Sequence, residues 1–155
     1  MSRIDFYHLT RTTLEEVLPK LLTKAYAQGK RVLLKTGTEK VEALNTFLWT
    51  YDEESFLPHG SRKDGFADEQ PIWITDEDNN ANKAQFLFLT NGTETKNAES
   101  YERIFNIFDG KNTEAVEQAR RLWKEYKTAD YEMHYWQQSE RGGWEEKVTA
   151  TDKSK

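Results

Sequence analysis

IDFYHLTRTTLEEVLPKLLTKAYAQGKRVLLK, Ile4–Lys35, reads as strand, helix, strand, and this order decides the fold. Ile4–Leu9 is short and rich in apolar and aromatic residues, as a strand requires. Thr13 with Glu16 then forms a capping-box pattern ahead of Leu14, Val17, Leu18, Leu21, Leu22 and Ala25. Offsets of three and four put those side chains on one helical stripe. Pro19 falls early in the stripe, so the helix is expected to begin nearer Leu18 or to bend there. Gly29 supplies a stop, and Arg31–Lys35 returns to a β-rich run.

Working outward, Gly37 and Thr38 lead into a second helix with Val41, Leu44, Leu48 and Phe47 as its inward candidates. From Tyr51 to Gln70 the periodicity dissolves into a long polar loop, a kind of segment that tends to carry function. Ile72–Thr75 and Gln85–Thr90 read as strands, and Asp76–Asn80 between them as a solvated hairpin turn. Arg103–Phe108 is a further strand, stopped by Asp109 and Gly110. Asn112–Tyr126 is a clear helix, and Tyr131–Trp136 alternates loosely. No repeat or internal boundary appears. The expected organisation is one α/β domain over residues 1–138 with a polar C-terminal tail over 139–155. Alternating strands and helices predict an open, mostly parallel, Rossmann-like sheet with helices on both faces.

Composition narrows the function. Hydrophobic residues are 36% of the 155 and charged residues 32%, while an aromatic share of 13% argues for a packed globular chain. The absence of cysteine removes disulfides, thiolate metal sites and cysteine nucleophiles together. The opening MSRIDFYHLTR lacks the apolar run of a signal peptide, and no stretch is long enough to cross a bilayer, so a cytoplasmic protein is expected. With 22 basic and 27 acidic residues the formal charge is −5, which favours a protein partner over direct contact with nucleic acid.

An open α/β sheet raises the question of a nucleotide. The loop after the first strand, Leu9-Thr10-Arg11-Thr12-Thr13, has no glycine to let a pyrophosphate approach, and neither GxGxxG nor a Walker A pattern occurs. His8, His59 and His134 lack metal-ligand spacing. Asp76, Asp78 and Asn80 lack the glycine and distal glutamate of a calcium loop. No GxSxG elbow exists. We therefore expect no catalytic residue, metal or cofactor. A small nucleotide-using enzyme that has lost its glycine-rich loop is the alternative from another class.

Two constellations remain. Leu48 and Trp49 close the second helix, and Ser55-Phe56-Leu57-Pro58-His59 follows in the polar loop. Trp49 is one step off the buried stripe, and Phe56 must either tuck into its own domain or meet a partner. On the last long helix, Ala115, Val116, Ala119, Leu122 and Tyr126 form the buried side. Arg120, Lys124 and Lys127 share a stripe roughly 60° wide beside it, with Trp123 on the border. The stripe is either a solvated basic face or a pocket with an aromatic wall and cationic rim. Such a pocket suits a short acidic peptide ending in a bulky apolar residue with a free carboxylate.

In order and spacing, several segments together resemble the chi subunits of bacterial DNA polymerase III. They are Asp5-Phe6-Tyr7, Gly29-Lys30-Arg31-Val32-Leu33, Leu48-Trp49, Ser55–Gly60, Phe108-Asp109-Gly110, Ala119-Arg120, Trp123-Lys124-Glu125-Tyr126 and Tyr135-Trp136-Gln137-Gln138. The likeness runs from about Ile4 to Trp144. It implies a non-catalytic accessory protein of the clamp-loader assembly. Such proteins bridge a psi subunit and the acidic C-terminal tail of single-stranded DNA-binding protein, and touch DNA only indirectly. Carried over by position, the tail site would use Arg120 as carboxylate binder, Lys124 as supporting cation and Trp123 as pocket wall. The face toward a psi-like partner would use Trp49 and Phe56. Val116 departs from the pattern, standing where a further cation is expected.

Overall fold

The structure, a computed structural model, describes residues 2–51, 57–129, 131–141 and 143–149. Among the described residues eight strands form one sheet in the order β3-β4-β2-β5-β6-β1-β7-β8. They are β1 (Arg3–Leu9), β2 (Val32–Lys35), β3 (Gly60–Ser61), β4 (Ile72–Thr75), β5 (Phe86–Leu89), β6 (Arg103–Asp109), β7 (Glu132–Gln138) and β8 (Trp144–Thr149). Among the described residues every neighbouring pair is parallel except β7 with β8. Among the described residues three α-helices pack on it: α1 (Leu14–Ala27), α2 (Val41–Thr50) and α3 (Thr113–Thr128). The sheet is thus α/β and mostly parallel, as expected.

β1 lies between β6 and β7 and is buried on both faces, which explains its near-continuous apolar run. Tyr7 and Leu9 join the core beneath α1 and α2, with Leu18, Leu22, Leu44, Leu48, Leu34 and Ile74. Ile4 and Phe6 point the other way, into the core beneath α3 with Leu122, Tyr126, Leu87, Ile104 and Met133. The helices therefore cover both faces. Asp5, fully buried on β1, is ion-paired with Arg3 and Arg103 and accepts from the Trp136 indole at 3.3 Å, so its charge is not left bare.

Several local expectations need correction. α1 begins at Leu14, with Pro19 inside it and buried. The ring costs the bond to the Glu15 carbonyl, roughly 3 kcal/mol, but Val17, Leu18, Leu21 and Leu22 each return about 1.5–3 kcal/mol on burial. The capping box does not form, because Thr13 makes no side-chain cap bond. The other end of α1 fits the sequence: Gly29 at φ +75° lets Lys30 N–H reach Ala25 and Gly29 N–H reach Tyr26, which closes the last carbonyls.

β4 and β5 are not a hairpin. They lie on either side of β2, both parallel to it. All four residues of each are buried, and strands covered on both faces are joined by crossovers. The acidic turn between them instead ties loops together: Asp78 accepts from Lys35 and from the Lys96 amide, and Asp76 from Thr38.

The polar loop after α2 contributes β3 at the sheet edge. This two-residue strand has no periodicity to announce it, and Gly60 leaves space for the Gln70 side chain, which a Cβ would meet at 2.6 Å. Phe56 lies outside the described residues. The segment expected as a polar tail contributes β8, antiparallel to β7, with its register shifted at Tyr135/Trp136. Its Glu145, Glu146 and Lys147 suit an edge strand, and Trp144 packs edge-on to Tyr7 at 5.0 Å.

Candidate functional site

α3 starts at a true cap, where the Asn112 side chain accepts from the Ala115 amide. Ala119, Leu122 and Tyr126 are buried beneath it, while Ala115 and Val116 are only half-buried. Arg120 and Lys124, one turn apart, are exposed, and Trp123 is half-buried beside them. Trp123 meets Phe6 edge-on at 5.5 Å and Tyr135 at 5.8 Å. Tyr135 stacks on Phe6, and its hydroxyl lies 2.7 Å from His8 Nδ1. The His8 ring tilts onto Phe108 at 4.9 Å. β1, β6, β7 and α3 thus bring an aromatic wall and a cationic rim to one patch.

Its electrostatics set Arg120 apart. Arg121 is held by Glu94 at 2.6 Å and Glu125 at 3.0 Å. Among the described residues neither Arg120 nor Lys124 has an ion pair. Burial and then the Arg120 charge hold His8 below the usual imidazole range, with Asp109 opposing. Burial pushes the Tyr135 hydroxyl up, and Arg120 pulls it back. The guanidinium acts on both rings, and a planar fork free of carboxylates can take an incoming one. His8, Phe108 and Tyr135 were absent from the sequence-derived site. In the sequence they stand on separate strand segments, which does not say which strands become neighbours.

The other constellation lies over the opposite core. Trp49, 48% exposed on α2, packs on His59 with ring centroids 4.1 Å apart. His59 is buried, its Nδ1 2.6 Å from the Leu57 carbonyl and its Nε2 3.1 Å from that of Asn45. Leu57 joins the core, so the loop is anchored by an aliphatic residue and a histidine, with Trp49 left outside.

At the carboxyl ends of β1 and β6 is a crevice of about 640 Å³, lined by Leu9, Arg11, Thr12, Asp109 and Asn112 among others. Open α/β sheets take nucleotides in such a place, through free amides of the loop after the strand. Here the amides of Thr10, Arg11 and Thr12 all donate to Gln138 Oε1, at 3.0, 2.9 and 3.2 Å. The Gln138 amide nitrogen in turn donates to Thr12 Oγ1 at 2.7 Å. A phosphate would have to displace a buried side chain. Among the described residues no three His, Asp or Glu side chains are grouped to hold a metal ion, and no helix is long and apolar enough to cross a membrane.

The chain is similar to known proteins. Residues 1–134 match the family described as DNA polymerase III chi subunit, HolC. A relative from Rickettsia prowazekii (strain Madrid E), named as a probable DNA polymerase III subunit chi, is 33% identical over 109 residues. That match covers 70% of this chain and 66% of the relative, just under two thirds of its length.

Proposed function

The chain belongs to the DNA polymerase III chi-subunit family, and on that footing we propose that it is a non-catalytic accessory subunit of the replicative clamp-loader assembly, acting in the cytoplasm. Its task is to hold the acidic C-terminal tail of single-stranded DNA-binding protein on α3. Arg120 takes the terminal carboxylate, Trp123 covers the apolar side chain next to it, and Lys124 adds a rim charge. A psi-like subunit docks at Trp49 and Phe56. DNA is reached only through the tail, since a net charge of −5 offers no general attraction to phosphates.

The observation that carries this reading is Arg120, exposed and without an ion pair among the described residues, beside a half-buried tryptophan. Calorimetry with a tail peptide tests it. A charge-assisted bond is worth about 1.5–3 kcal/mol, so Arg120→Ala weakens binding roughly tenfold or more. Lys124→Ala costs less, because a rim charge is screened. Amidating the peptide's C-terminus mimics much of the Arg120 loss, and the two changes do not add fully, since they remove one contact. Equal affinity of Arg120→Ala and wild type would reduce this face to a solvated basic stripe.

A further inference from the structure

Beside Arg120 lies a pair of side chains that the reading above leaves idle. The His8 Nδ1 and Tyr135 Oη are 2.7 Å apart, on neighbouring parallel strands, at the foot of the Trp123 wall. Space for the imidazole is reserved by Gly110, where a Cβ would come 2.2 Å from His8 Nε2 and 2.5 Å from the Leu9 carbonyl. Tyr135 is half-buried, and its ring stands edge-on to both His8 and Trp123.

We propose that His8 and Tyr135 make this patch a proton-linked carboxylate receptor, in which protonation of His8 turns the Tyr135 hydroxyl toward the bound anion. The inference rests on the α3 tail site. A neutral imidazole whose Nδ1 carries a lone pair accepts the Tyr135 O–H, and that hydrogen is then spent inside the protein. A protonated ring has no lone pair. Its Nδ1–H donates to Tyr135 Oη, and the hydroxyl hydrogen is released to donate to the ligand carboxylate. Up to one proton is taken up at Nδ1 for each anion bound, at pH values between the free and the bound His8 ranges.

The charges that act on His8 give the link its sign. Arg120 on α3 disfavours the protonated ring, Asp109 at the end of β6 favours it, and Tyr135 on β7 is its hydrogen-bond partner. With the site empty, burial and Arg120 prevail and the ring is held below its usual range. A carboxylate against Arg120 cancels that repulsion, so binding raises the imidazole's proton affinity. By reciprocity, acidification through the His8 range strengthens binding, up to about tenfold for each pH unit by which the anion raises the His8 pKa.

The test uses the full chain, the peptide Asp-Asp-Asp-Leu-Phe and its amidated twin, with calorimetry from pH 5.5 to 8 and NMR of the His8 ring. The peptide should bind more tightly as pH falls, its heat should report proton uptake, and the His8 titration should move up when it binds. His8→Gln should flatten the pH profile, and Tyr135→Phe should both weaken binding and flatten it, with melting curves to check the fold. The NMR arm needs no variant. A flat profile in wild type, or an unmoved His8 titration, while Arg120→Ala still weakens binding, overturns the proton link and leaves the tail site standing. Wild-type binding unaffected by Arg120→Ala, or no binding, overturns both.

Discussion

Arg121 gives its guanidinium to Glu94 and Glu125, whereas Arg120, one position earlier, acts on His8 and Tyr135. One residue step rotates a helical side chain by about 100°, enough to separate a structural cation from one available to a ligand. Gln138 is the converse case, a polar residue whose value is structural. Its Oε1 satisfies three loop amides, and its backbone carbonyl accepts from Thr10 Oγ1. Gln138→Ala leaves those partly buried donors to water that reaches them poorly. It should destabilise the fold by about 2–3 kcal/mol, read as a fall in the chemical-denaturation midpoint. No gain of ATP or NAD binding is expected, as the loop has no glycine to let a phosphate approach. A nucleotide-dependent rise in Tm in this variant would revive the enzyme alternative.

At the scale of elements, α3 is tied to the loop after β5 through Glu94, which accepts from Gln118 at 2.8 Å and from Arg121. Burial pushes the Glu94 carboxyl up, but the bonds from Gln118 and Arg121 and the charges of Arg121 and Lys35 outweigh it and hold it below its ordinary value. A depressed folded-state pKa adds stability that is present above the unfolded value and lost as pH falls through the folded one. Glu94→Gln should therefore melt below wild type at pH 7, and the gap should close in acid below the usual glutamate range. A gap that persists there would mean that the loss is packing and not charge. α2 gives the second element-scale expectation. Trp49 is exposed, and its ring packs on His59, so Trp49→Ala should move stability by less than about 1 kcal/mol while abolishing capture of a psi-like partner. A large drop in Tm would make Trp49 a structural lid over the loop.

Across the whole molecule, the two candidate surfaces sit over different cores. Trp49 rides on α2 above the core holding Tyr7 and Leu48, and Trp123 packs against the core of Phe6 and Leu122 on the other face. A sheet separates them, and neither surface shares a residue with the other. Tail peptide and psi-like partner should therefore bind at the same time, with affinities that multiply independently, as bridging requires. Calorimetry of the peptide with and without saturating partner checks this. Mutual exclusion would place both ligands on one face.

Most strands and helices were legible because they carry their own local signals: the stripe of α1, the glycine stop at Gly29, and the predominantly apolar segments of β1, β4 and β5. The grouping of Arg120, Trp123 and Lys124 was legible for the same reason, since they lie within two turns of one helix and periodicity alone gives their relative directions. β3 and β8 were not, because edge strands bury little and keep their charges. Pro19 misled the start of α1, because a local penalty was overruled by leucines whose burial depends on a sheet formed later in the chain. Strand order was not written locally either. Residue 8 and residue 135 become neighbours only because β7 comes to rest beside β1, and Gln138 reaches the loop after β1 for the same reason. The sequence by itself determined which segments are helix or strand and which α3 residues could meet a partner. Tertiary structure alone decided which α3 cation is paired among the described residues, which amides are already satisfied, and which rings line the candidate site, because those depend on contacts between separate elements, from 27 positions for Arg121 with Glu94 to 127 for His8 with Tyr135.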